Sequence, residues 1–158
     1  MKHTTRQVTY PIDIDAERAF ISAFLSGNYN MDQYHALTCN DFFTPEHKVI
    51  LYAIMELDSD HIRISKEECV RQLERTGEIS TAVLSALDAI EYKLISEDEI
   101  QIIRRRILDC AIGRRLIDRL IDTTSWLAEG DINSEQFLQW TLDCLNELQI
   151  LNLYRNCG

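Results

Sequence analysis

The chain has 158 residues, 26 of them acidic and 16 basic, and a formal net charge of −10 at pH 7. This length suffices for one domain with its own core, so neither disulfides nor a metal is needed for folding. The acidic balance argues against direct binding of nucleic acid, and no apolar run is long enough to predict a membrane span or a signal peptide.

The five cysteines are scattered along the chain and include no Cys-x-x-Cys pair. Their spacing therefore predicts neither a disulfide framework nor a zinc site. Several of them fall on predicted apolar helix faces, where a thiol behaves as a small hydrophobic group. A reducing cytoplasm is the expected setting of the protein.

Apolar residues recur at helical spacing along the chain, and no segment shows the alternation of a strand. Thr44 is a suitable N-cap, and Pro45 already holds the helical φ at the first position of the next helix. Ser65 and Glu68 form a capping box, and Gly77 suits the left-handed residue that ends that helix. The first five predicted helices cover residues 16–26, 31–37, 45–58, 66–76 and 81–92.

The C-terminal third predicts a helical hairpin. A capping box of Ser96 and Glu99 begins a run of helical periodicity that continues to Gly130. Gly113 lies within this run and is a possible break, because glycine costs about 1 kcal/mol in a helix interior. A last helix over residues 134–154 follows a short link that suits an antiparallel pair. The predicted fold class is all-α, with a helical bundle over residues 1–95 and the long helix and C-terminal antiparallel hairpin over 96–158.

Four stretches of the chain carry a family resemblance. They are AERAFISAFL at 16–25, NDFFTPEHKVI at 40–50, ISKEECVRQLERTGEI at 64–79 and ILDCAIGRRLID at 107–118. Together they resemble the N-terminal domain of bacterial replicative helicases of the DnaB type. The resemblance implies a non-catalytic collar module that self-associates, as a dimer or as a trimer of dimers in a full-length helicase, and that docks primase or a helicase loader during DNA replication.

Both arms of the predicted hairpin carry apolar arcs wider than a single partner helix requires. At 100° per residue each arc spans about 180°, whereas the stripe that faces a core is about 100° wide. A second copy of the chain is the expected cover for the remainder, and the alternative is that the hairpin folds back onto the preceding helices. The residues predicted for self-association are Leu116, Leu120, Leu127, Phe137, Trp140, Cys144 and Leu148.

A second set of residues is predicted to dock a partner protein. Trp126 falls on the opposite side of the helical wheel, among charged residues, where a large aromatic side chain has no core to enter. Tryptophan and arginine dominate binding hot spots, so Trp126, Arg115 and Arg119 are the predicted docking residues. Two alternatives stay open, namely that Trp126 covers the hairpin turn and that the arginines form salt pairs along a solvated helix face.

No motif in the sequence predicts catalysis. The chain has no Gly-x-x-x-x-Gly-Lys-Ser/Thr loop, so the ATPase motor of a helicase is absent from it, and no catalytic residue or cofactor is predicted. The four histidines show no metal-ligand spacing, and His47 is interpreted as a capping or packing residue. Two other functions remain open: a stand-alone phage or plasmid helicase regulator or loader that mimics the collar, and the helicase-binding C-terminal domain of primase.

Overall fold

A computed structural model describes residues 9–27, 29 and 37–156 of the protein, without the side chains of residues 148 and 150–156. Within these ranges the protein is helical and contains no strand, which confirms the predicted all-α class. The predicted helix over 31–37 lies outside the described residues except for Leu37. The helices are α1 (Ile14–Leu25), α2 (Pro45–Ser59), α3 (Lys66–Thr76), α4 (Thr81–Asp88), α5 (Glu97–Glu129) and α6 (Ser134–Asn156), with a 3₁₀ turn at Cys39–Asp41.

Capping side chains determine most of the helix starts. The hydroxyl of Ser65 accepts the Glu68 amide hydrogen bond at 3.2 Å, and Gly77 ends α3 with a φ of 74°, as predicted. The box of Ser96 and Glu99 is reciprocal, because each side chain accepts from the backbone amide of the other residue. These starts are encoded locally, since the cap and the amide that it satisfies are three residues apart.

Two helix ends differ from the prediction, one because of a local cap and one because of contacts between distant residues. Helix α1 starts at Ile14, since Asp13 rather than Asp15 is its N-cap and accepts the Ala16 amide at 2.9 Å. Helix α4 ends at Asp88, four residues before the predicted end. The hydroxyl of Ser22 in α1 donates to the Glu91 carbonyl at 2.6 Å and accepts from the Lys93 amide at 3.1 Å, which holds this segment outside a helix.

The described chain forms two compact units, one of residues 12–111 and one of residues 9–11 with 112–156. In the larger unit, α2 packs against α1, α3 and α4. The rings of Phe20 and Phe24 lie 4.9 Å apart, and the ring of Phe42 lies 6.0 Å from that of Phe20. Burying each such side chain stabilises the fold by about 1.5–3 kcal/mol. The predicted division between residues 95 and 96 was based on helical elements and stays a prediction.

The smaller unit consists largely of the second part of α5, the turn and α6. Helix α5 passes through Gly113 without interruption, so the possible break does not occur. Gly130 has a φ of 80°, and the Trp126 carbonyl accepts the Asp131 amide at 2.9 Å, which closes the turn into α6. Only Thr123, Ile132 and Cys144 are buried among the described side chains of this unit.

Substitution of Asp13 tests how α1 is anchored. Its carboxylate caps α1 and also pairs with the partly exposed Arg106 guanidinium at 2.7 Å. We expect Asp13→Ala to lower the free energy of unfolding by about 1–2 kcal/mol, and Asp13→Asn, which keeps a capping oxygen, by less than about 1 kcal/mol. Chemical denaturation measures both, with the exposed Asp15→Asn as a control near zero. Equal losses for the two Asp13 variants would contradict the capping role.

Candidate protein-interaction surface

The inner side of the hairpin holds α5 and α6 together. Cys144 is buried, and Leu116, Leu127 and Phe137 are half-buried. Trp126 of α5 meets Trp140 of α6 edge to face, with ring centroids 5.1 Å apart and an interplanar angle of 82°. Such an aromatic pair contributes about 0.5–1.5 kcal/mol beyond its buried area. These side chains are engaged in part within a single copy of the chain.

A second group of apolar side chains in the same unit faces solvent. The exposed fraction reaches 62% for Leu138, 54% for Leu142 and 49% for Leu145. These three lie at i, i+4 and i+7 of α6, which puts them on one helix face. Together with two exposed residues of α5 they form what we term the outer apolar surface: Leu120, Ile121, Leu138, Leu142 and Leu145.

Part of this surface on α5 is a shallow groove. It is lined by Leu120, Ile121, Thr124, Ser125 and Ala128. The Thr124 hydroxyl donates to the Leu120 carbonyl at 2.6 Å, one turn back along the helix. Because this hydrogen bond satisfies the hydroxyl within α5, the groove stays predominantly apolar.

The seven residues predicted for self-association therefore fall into two groups. Leu120 and Trp140 are exposed, whereas Leu116, Leu127, Phe137 and Cys144 lie wholly or partly inside the hairpin. Leu148 belongs to α6, but its side chain lies outside the described residues. The sequence-based choice omitted the exposed positions Ile121, Leu138, Leu142 and Leu145, which lie within the same broad apolar arcs. Their role in self-association stays a prediction.

The residues predicted for docking have different surroundings. Arg115 and Arg119 are exposed on α5. Trp126, which the helical wheel placed away from any core, packs on Trp140, and its carbonyl takes part in the hairpin turn. These contacts agree with the alternative that Trp126 covers the turn. A wheel drawn for one helix cannot show a side chain that the next helix brings alongside. Whether these three residues dock a partner stays a prediction.

Arg114 and Asp118 of α5 both contact the N-terminal segment. The Arg114 guanidinium donates to the Pro11 carbonyl at 2.9 Å, and Asp118 accepts a hydrogen bond from the Tyr10 hydroxyl at 2.5 Å. The basic side chain and the acidic side chain each bind the segment that precedes α1.

The buried ionisable pair of the larger unit holds the segment that leads into α2. Glu17 and His47 are each 2% exposed, and the carboxylate lies 2.8 Å from Nδ1 of His47. The carboxylate also accepts the amides of Phe43 at 2.5 Å and Thr44 at 3.3 Å, at the start of α2. Among the described residues the Thr44 side chain makes no cap hydrogen bond, so the predicted helix start is correct but its predicted cap is wrong.

The pKa of Glu17 reflects two opposed effects. Burial raises the pKa of the carboxyl, but the hydrogen bonds from His47, Phe43 and Thr44 outweigh burial, and the pKa lies below its usual value. The pair is enclosed by the fold and anchors α2 to α1. This agrees with the interpretation of His47 as a capping or packing residue.

The part of the chain that the structure describes offers no cluster of three or more His, Cys, Asp or Glu side chains suited to a metal ion. No helix in that part is long and apolar enough to span a membrane. Its distinctive surface is the apolar side of a helical hairpin. Fold and surface together define the class of an all-α domain extended by a helical hairpin.

Comparison with known proteins narrows this class to one family. Residues 9–107 match the family model described as the DnaB-like helicase N terminal domain. The chain belongs to this family, which confirms the resemblance seen in the sequence. No curated protein matches the chain significantly.

A solved structure extends the likeness of fold beyond residue 107. The crystal structure of the N-terminal domain of DnaB helicase from Mycobacterium tuberculosis is similar with a TM-score of 0.72 and 17% identity. The match covers 88% of this chain and 99% of that chain. At this identity the likeness establishes the fold alone.

Replacing the Glu17 carboxylate tests its role in holding the entry to α2. We expect Glu17→Gln to lower the free energy of unfolding by about 2 kcal/mol at neutral pH, because charge-assisted hydrogen bonds are lost in a buried site. In the unfolded chain the pKa of Glu17 is about 4.3, and in the native protein it lies lower. The carboxylate therefore contributes fully to the free energy of unfolding above about pH 4.3, and this contribution is lost as the pH falls through the native pKa. Denaturation from pH 7 to pH 3 measures both effects. In acid, the free energy of unfolding of Glu17→Gln should depend less on pH than that of the parent. The exposed Glu74→Gln control should follow the parent. A pH dependence of Glu17→Gln equal to that of the parent would contradict the assignment.

Proposed function

We propose that the chain is a non-catalytic module of a DnaB-like replicative helicase that self-associates through its hairpin and docks primase during DNA replication. The outer apolar surface is the single observation that carries this proposal. Membership of the helicase N-terminal domain family supports the replication context. The missing phosphate loop in the sequence supports a role in assembly rather than in ATP hydrolysis.

The physical argument for self-association is the cost of leaving this surface in water. Burying one leucine side chain contributes about 1.5–3 kcal/mol, and Leu138, Leu142 and Leu145 are each about half exposed or more. The same surface on a second chain can cover it, because a two-fold symmetric interface joins identical patches of the two chains. Side chains on both helices take part, so the proposed interface spans the hairpin and not a single helix face.

Docking of primase is assigned to the polar side of α5. Arg115 and Arg119 are exposed in a chain whose net charge is −10, so they provide a local site for acidic groups of a partner. Trp126 lies near them in sequence but contacts Trp140. We therefore assign Trp126 to hairpin structure as well as to docking, and the arginines are the cleaner probes.

Self-association is tested by replacing two outer apolar residues together. We expect the parent chain to have the mass of two chains of 18.4 kDa each, and Leu138→Ser/Leu142→Ser to shift toward the mass of one. Size-exclusion chromatography with light scattering over a range of concentrations measures the mass. Leu94→Ser is the matched control, because Leu94 is 78% exposed and belongs to the larger unit. A parent chain that stays monomeric at high concentration would contradict the proposed self-association.

Docking is tested with the helicase-binding C-terminal domain of a bacterial primase as the probe. We expect Arg115→Glu/Arg119→Glu to weaken binding about tenfold or more and to reduce its dependence on salt, since charge pairs across the interface are lost. Calorimetric titration measures both, with the exposed Arg105→Glu as control. Equal affinity of the double variant and the control would exclude these arginines from the interface. A chain that instead disperses intact helicase rings would favour the regulator or loader function.

A further inference from the structure

Gly113 is the only glycine inside a described helix, and its place in the interior of the 33-residue α5 needs a physical reason. Glycine there costs about 1 kcal/mol relative to alanine, yet α5 does not end at this position. A Cβ atom built on Gly113 would lie 2.8 Å from Cγ of Pro11, closer than side chains pack. The missing side chain therefore leaves room for the proline ring.

The segment that places this ring makes two further contacts with α5. The Pro11 carbonyl accepts from Arg114 at 2.9 Å, and the Tyr10 hydroxyl donates to Asp118 at 2.5 Å. We term residues 9–11 the N-terminal strap. Its contacts begin at Gly113 and extend to Asp118, about one and a half helical turns further along α5. The strap is thus fixed to α5 by one steric contact and two polar contacts.

The residues of α5 around Gly113 are not fully enclosed. Ile112, Gly113 and Arg114 are half-buried and Arg115 is exposed. A helix segment with a glycine and few buried contacts is where local opening costs least. The strap thus contacts the residue of α5 with the lowest helix propensity.

We propose that the N-terminal strap is a latch that keeps α5 helical across Gly113, and that α5 opens locally at Gly113 when the strap is released. The latch is a conformational device that is separate from the proposed self-association. All residues of the outer apolar surface follow Gly113 along the chain. Any partner that captures residues 9–11 would therefore act on the helix that carries part of this surface.

Removal of the proline ring is the first test. We expect Pro11→Gly to speed amide hydrogen exchange about tenfold at residues 112–118, while exchange in α2 and α3 stays at the parent rate. Mass spectrometry of peptic fragments measures both regions in one experiment. Thr9→Gly is the matched control, because it adds a glycine to the strap at an exposed position. Unchanged exchange at 112–118, or an equal rise throughout α1–α4, would overturn the latch.

A second substitution tests the steric contact itself. In the parent chain, Gly113→Ala places a methyl group against the Pro11 ring and should displace the strap, so exchange at residues 112–118 should rise. In the Pro11→Gly chain the same change meets no ring and adds a better helix former, so exchange at residues 112–118 should fall. Gly113→Ala is thus expected to have opposite effects in the two backgrounds. Effects of the same sign in both would overturn the proposal, even if either variant alone were less stable.

Discussion

The bundle depends on one buried carboxylate. Glu17 lies in the first helix, yet it satisfies backbone amides at the start of the second helix and binds the ring of His47. An ionised group is expensive to bury unless hydrogen bonds compensate for the lost water, and here a side chain and two backbone amides do so. This arrangement fixes α1 against α2, and α2 is the element that packs against α1, α3 and α4. The phenylalanine core around Phe20 can form because the two helices meet in this orientation.

The hairpin unit encloses fewer apolar side chains than the larger unit. The larger unit has an apolar core built around aromatic rings, whereas three described side chains of the hairpin unit are buried. Its apolar residues divide between an inner side that joins α5 to α6 and an outer side that remains in water. A helical pair with so little enclosed surface gains stability from whatever covers its outer side. The larger unit thus encloses its own apolar core, and the hairpin unit carries the exposed apolar surface that we propose for self-association.

The sequence predicted well those features that depend on residues a few positions apart. The Ser65 cap, the left-handed Gly77 and the reciprocal box at Ser96 all satisfy amides within one turn, so a short window contains the whole interaction. The start of α1 was missed although its Asp13 cap is local, and the other failed predictions depended on distant residues. The contacts of Ser22 hold the chain after α4 outside a helix, Glu17 rather than Thr44 binds the amides at the entry to α2, and Trp140 gives Trp126 an apolar contact. At the candidate surface, helical wheels located the apolar arcs of α5 and α6. Only the packing of the two helices shows which apolar residues face the partner helix and which face solvent.

The contact between Pro11 and Gly113 makes two positions 102 residues apart in the chain depend on each other. Neither residue has an obvious role when its own neighbourhood is considered alone. Across related proteins this dependence should appear as paired evolutionary change. Lineages that replace the glycine with a bulkier residue should also have lost the proline, and alignments deep enough to resolve covariation would contain that signature.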